Sequence, residues 1–214
     1  MSDVYGSVRE FEKSLMEYSG APYAVGVDSC SNALALCCQY RQVKKYSEVE
    51  IPAITYPSVA SAIVHAGGRI KFDDREWQHL GWFSLNPTGI VDSAKYLAKN
   101  MFNEIREKLG VPFLYICLSF HAKKTIPIGR GGMILTNDEE GARWIRVARF
   151  DGRHEKYLQE DKLEMAGWNC YMTPEQASRG LVLKQWIADS NILEADPYQD
   201  LSQYKFFTEA NREK

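Results

Sequence analysis

The segment CLSFHAKKTIPIGRGGMILTND, from Cys117 to Asp138, ends an apolar run in Ser119, Phe120 and His121 and continues with two lysines and a glycine-rich turn. A lysine directly after a buried strand is either a surface charge or a nucleophile held in a pocket. An imine-forming lysine must be partly neutral near neutral pH, which burial or a neighbouring cation achieves. Lys123 and Lys124 leave an extended backbone in different directions, so at most one is expected to face a pocket. The plainer alternative is a solvated pair at a strand end, and the pair alone does not decide between them.

Three more stretches carry residue types of the same chemical kind. SCSNALAL puts Ser29 and Ser31 at the start of a helix, where hydroxyls and unpaired N–H groups suit either a phosphate or an ordinary helix cap. IVDSA puts Asp92 directly after an apolar strand, to pair with a protonated pyridine nitrogen or to cap the next helix. Tyr56 in AITYP can stack on a flat ring or pack in the core.

The elements that must position these residues can be read from periodicity. Val8, Phe11, Leu15 and Met16 fall at helical spacing, with Gly20 as the stop. YAVGVDS is a strand and SNALALCCQYRQV a helix. VEIPAITYPSVASAIVHAGG reads as strand, turn and helix, and RIKFDD as a strand. GIVDSAKYLAKNMFNEIREKLG is strand then helix. FLYICLSF and GGMILTND are strands, DEEGARWIRVARF is a helix, and the chain from TPEQASRGLVLKQWIADSNILE onward is helical. Strands alternating with helices imply an α/β sheet covered on both faces. Ligands in such sheets gather at the carboxyl ends of the strands. DSCSN, AITYP, VDSAK and SFHAKK all fall there.

Bulk properties exclude other classes. The 214 residues carry a formal net charge of −2, which gives no reason to expect a nucleic-acid partner. No apolar run approaches the roughly 20 residues of a membrane span, and the N-terminal residues do not read as a signal peptide. Five cysteines, an odd number, form neither a disulfide framework nor a zinc pattern, so a reducing cytoplasm is the expected compartment.

Taken together, these motifs resemble the nucleotide-sugar aminotransferases of the DegT class, which use pyridoxal phosphate on the aspartate-aminotransferase fold (fold type I). The family's Ser-Phe-His-x-x-Lys segment matches Ser119 to Lys124, so the register selects Lys124 as the Schiff-base lysine. Its Ser-Gly-Thr-x-Ala-Leu phosphate turn matches Ser29 to Leu34 and brings in Ser31 and Asn32. PAITY makes Tyr56 the ring-stacking residue, and VDSAK makes Asp92 the partner of the pyridine nitrogen. GWNCYM resembles the segment whose asparagine, here Asn169, reaches the phosphate of the neighbouring subunit.

The resemblance implies a three-layer α/β/α fold with a mostly parallel sheet, pyridoxal 5'-phosphate as cofactor, and a homodimer with shared active sites. It also implies a keto-sugar nucleotide substrate and an amino-acid donor such as glutamate. Residues 1–185 form the cofactor-binding large domain, and residues 186–214 a helical or irregular remnant whose tail is peripheral. Lys95 stands where the family has Gln, and Tyr171 where it has Arg. Only a short loop is expected between KFDD and VDSAK. The small domain is largely missing, so the alternative is a shortened, non-transaminating cofactor-binding or assembly partner.

Overall fold

The computed structural model describes residues 3–44, 47–187 and 197–209. Helix α1 (Gly6–Ser19) buries Val8, Phe11 and Leu15 and stops at Gly20, whose left-handed backbone returns its N–H to the Met16 carbonyl. Strand β1 (Tyr23–Val27) pairs antiparallel with β7 (Gly132–Thr136), and β7 pairs antiparallel with β6 (Tyr115–Ser119). Next come β5 (Ile90–Asp92), parallel to β6, and β4 (Phe83–Leu85), antiparallel to β5. Strands β2 (Glu48–Pro52) and β3 (Arg69–Asp73) form a separate parallel pair. One bridge joins the two sheets: Glu50 N–H donates to Asn86 O at 2.9 Å, and Asn86 N–H to Glu50 O at 3.1 Å.

Counted across that bridge, β1, β2, β3, β5 and β6 run one way, and only β4 and β7 run against them. The connections set these directions. No helix crosses over between β4 and β5 or between β6 and β7, so each pair closes as antiparallel neighbours.

Alternate residues of each strand enter opposite cores, as the two-residue period of a strand requires. Val25, Ile134, Tyr115 and Cys117 face one side. They pack with α2 (Cys30–Tyr40), α3 (Pro57–His65) and α5 (Glu139–Ala148) through Leu34, Cys37, Ile63 and Ile145. Ala24, Met133, Leu135, Ile116 and Leu118 face the other. They pack with α1, α4 (Met101–Leu109) and α6 (Pro174–Lys184) through Phe11, Phe102 and Ala177. The result is the expected three-layer α/β/α arrangement.

Two expectations need correction. The stretch between KFDD and VDSAK is not only a loop, because Phe83 to Leu85 supply β4, buried along its whole length. The tail is not peripheral either. A 3-10 turn (Leu201–Gln203) and the short helix α7 (Lys205–Thr208) bury Leu201 and Phe207 in the same core as α3. Leu201 N–H donates to Ala53 O at 2.8 Å. Two apolar residues six positions apart in a polar stretch are enough to dock it, although the average composition hides them. Helix α6 ends at Lys184, and the helical expectation for residues 188–194 lies outside the described residues. Among the described residues, no helix is long and apolar enough to cross a membrane.

Candidate active site

The carboxyl ends of β1, β2, β5 and β6 open onto one cleft of about 830 Å³. Ser31, Tyr56, Asp92, Ser119 and Lys124 all line it, so five of the seven sequence-selected residues meet there. Both lysines reach the lining, contrary to the expectation that only one could. They differ in depth: Lys123 is exposed at the rim, whereas Lys124 is half-buried and lies in the field of Asp92 and Cys30. A turn sets the Lys124 position, with its N–H donating to the His121 carbonyl at 2.9 Å.

Asp92 is the last residue of β5 and is buried. Burial pushes its carboxyl up to about 6, while the Ala94 N–H, donating to Oδ1 at 2.8 Å, and the Lys124 charge pull it back. The protein therefore holds, at the cleft floor, a carboxylate that is costly to ionise and only partly compensated. Thr55 carries a second such cost. Its hydroxyl oxygen is buried without a hydrogen-bond partner, and the residue lines the cleft. Buried polar atoms without a partner are rare in folded proteins.

The N-terminus of α2 opens onto the cleft through Ser29, Cys30 and Ser31. Ser29 is the N-cap and accepts from the Asn32 N–H at 3.2 Å, which leaves Cys30 and Ser31 as the first helical residues, before any intrahelical bond to their N–H groups. Gly132 brings this helix end down onto β7. A Cβ there would stand 2.5 Å from the Ser29 carbonyl carbon, a distance no side chain tolerates. Asn32 does not reach the cleft lining, since its amide donates to Asp28 Oδ1 at 2.7 Å. Asp28 is in turn paired with Arg130 at 2.6 Å.

Asn169 also lies outside the cleft, exposed, with its amide donating to Asp151 Oδ2 at 2.9 Å. Tyr171, in place of the family's arginine, packs in an aromatic cluster with Tyr5 and Phe150. Lys95, in place of the family's glutamine, lines the cleft. Cys30, Trp77, Trp186 and Tyr198 line it as well and carry no sequence signal of the kind that selects the other seven. Cys30 is the exception in one respect, since it stands at the glycine position of the phosphate turn.

The model of the DegT/DnrJ/EryC1/StrS aminotransferase family matches residues 2–80 and 103–188. The chain belongs to that family. The gap in the match, residues 81–102, includes β4, Asp92 and Lys95, so the place of those two rests on geometry. Among curated family relatives, the spore coat polysaccharide biosynthesis protein SpsC of Bacillus subtilis is 26% identical over 196 residues, covering 77% of this chain and 48% of SpsC. GDP-perosamine synthase of Caulobacter vibrioides is 25% identical over 215 residues, covering 85% and 57%. The chain thus spans about half the length of the curated relatives it matches. Of solved structures, Spr1654 of Streptococcus pneumoniae in its apo-form superposes with a TM-score of 0.65 at 19% identity, covering 84% of this chain and 58% of that one. The aminotransferase TlmJ of Streptoalloteichus hindustanus gives 0.65 at 23% identity, with the same coverage. At those identities the likeness speaks for the fold.

Proposed function

We propose that this chain is a pyridoxal-phosphate-dependent aminotransferase that acts on a keto-sugar nucleotide, with an amino acid such as glutamate as donor. The observation that carries the reading is the meeting of Lys124 with a buried, half-compensated Asp92 in one cleft of a family aminotransferase fold. The donor set suits the cofactor. It offers an amine, an acid poised near 6, an aromatic face and a helix N-terminus flanked by hydroxyls. Spr1654 has been solved in PMP- and PLP-forms, and relatives include sugar transaminases, which favours the same cofactor and substrate class.

Bound pyridoxal phosphate supplies an electron-withdrawing ring that stabilises negative charge on a substrate carbon. The protein's own tasks are then distinct. Lys124 Nζ binds the cofactor and carries the proton between carbon positions. Asp92 holds a proton on the ring nitrogen, and that positive charge offsets the cost of the buried carboxylate. Tyr56 covers the ring face. Ser31, Ser119 and the first N–H groups of α2 hold the phosphate.

Residues 1–185 form most of the cofactor-binding unit in this reading, and Trp186 and Tyr198 reach its cleft from beyond that bound. Asn169, which lies outside the lining of its own cleft, serves a second copy in a homodimer. The cysteines among the described residues are all free, which agrees with a cytoplasmic protein.

The deciding experiment treats purified protein with pyridoxal phosphate, reduces it with borohydride and maps the adduct by mass spectrometry. Covalent label on Lys124 is expected. Label on Lys123, or none, would overturn the assignment.

A further inference from the structure

One wall of the cleft comes from residues the family match does not reach. The match ends at residue 188, yet Tyr198 lines the cleft beside Tyr56 and Trp77. The three rings form a chain. Trp77 and Tyr198 stack with centroids 6.0 Å apart and planes 16° apart. Tyr198 then meets Tyr56 edge-on, at 6.3 Å and 72°.

Trp77 is the anchored end of this chain. It is buried, packs on Phe83 at 4.8 Å, and its Nε1–H donates to the Ile54 carbonyl at 2.9 Å. Tyr56 is the outer end, 56% exposed at the N-cap of α3. The segment that carries Tyr198 grips the same loop, through the Leu201 N–H bond to Ala53 and a bridge between Asp200 and Ile54. Tyr198 is itself half-buried against the core that Leu201 and Phe207 enter, and a leucine can keep that apolar packing without supplying a ring.

We propose that Tyr198 is a positioning residue that holds the Tyr56 ring in the attitude needed to cover a flat cofactor ring, so that residues 197–209 complete the cofactor cleft. The proposal rests on the reading of Tyr56 given under Proposed function. An exposed tyrosine turns about two side-chain torsions. An edge-to-face neighbour backed by a fixed indole restricts both, which lowers the ordering cost when a ligand arrives.

The test uses the full chain as wild type, Tyr198→Phe and Tyr198→Leu. Pyridoxal phosphate is titrated into each, with affinity read from cofactor absorbance and ring environment from the visible circular dichroism of the bound cofactor. Melting of the cofactor-free proteins is the control for folding. The phenylalanine variant should match wild type in both readouts. The leucine variant should bind about two- to tenfold more weakly and lose much of the visible dichroism, with its cofactor-free melting little changed. If leucine does not fold, Tyr198→His, a smaller flat ring, takes its place and should fall between wild type and loss. Wild-type affinity and dichroism in the leucine or histidine variant would overturn the proposal. So would equal losses in the phenylalanine and leucine variants, because the hydroxyl would then be the acting group. Failure of the wild-type chain to bind the cofactor at all would instead defeat the cofactor assignment, and this proposal with it.

Discussion

Asp92 carries its free energy in two opposite ways, depending on what lies against it. In the cofactor-free protein its carboxyl titrates near 6, against 3.8 for an ordinary aspartate. The folded state then binds the proton more tightly than the unfolded state. Its contribution to stability is present below pH 3.8 and is lost as pH rises through about 6. The loss amounts to about 3 kcal/mol. Asp92→Asn should therefore flatten the pH dependence of urea unfolding in that window and make the cofactor-free protein more stable at pH 8, by up to about 3 kcal/mol. With cofactor bound, the same variant should lose most transamination, because a neutral amide cannot keep the ring nitrogen protonated. A variant with wild-type turnover and an unchanged pH profile would make Asp92 a turn residue only. Asp92, Ser119 and Tyr56 stand at the ends or caps of elements that the sequence pattern reveals, whereas Lys124 and Ser31 are legible through the register of the family motifs. Trp77 and Tyr198 are not, because an aromatic residue in an irregular stretch shows its role only through the rings it meets.

At the scale of elements, the site depends on how closely helix α2 sits on strand β7. Gly132 is the contact point, and the obstacle to any side chain there is the Ser29–Cys30 backbone rather than a flexible group. Gly132→Ala should cost about 1–3 kcal/mol of stability through overpacking. It should also weaken pyridoxal-phosphate binding beyond that loss if the α2 N-terminus holds the phosphate as proposed, since that helix end is what the new side chain displaces. Denaturant unfolding and cofactor titration of the one variant check both effects, and unchanged values in both would show that α2 moves freely. The strand order cannot be read from periodicity alone. The short apolar runs of β6 and β7 identify the strands, but their antiparallel pairing comes from the chain turning back between Phe120 and Gly131 without a helix. Strand β4 is harder to read than the equally short β5, because its apolar pattern is broken by Ser84 and closed by Asn86 and Pro87.

For the molecule as a whole, the proposed homodimer assigns the exposed Asn169 to a second copy, and a single copy would then hold an incomplete site. If Asn169 serves a neighbouring subunit, cofactor affinity should fall on dilution of the protein, because binding is linked to association. Asn169→Ala should weaken cofactor binding by about 1.5–3 kcal/mol, the value of a hydrogen bond to a charged group, while leaving the fold intact. Sedimentation across a concentration series, run beside cofactor titration, checks this. A monomer that binds cofactor tightly at every concentration would refute it. The docking of Leu201 against Ala53 has a further consequence, in time rather than in space. A ribosome delivers β1, α2 and the Ala53–Tyr56 loop early, whereas Leu201 emerges only after nearly the whole of the sheet has been made. The nascent chain can therefore gather its strands but cannot yet fasten that loop. Translation that stalls before Leu201 therefore leaves the Ala53–Tyr56 side of the cleft unfastened.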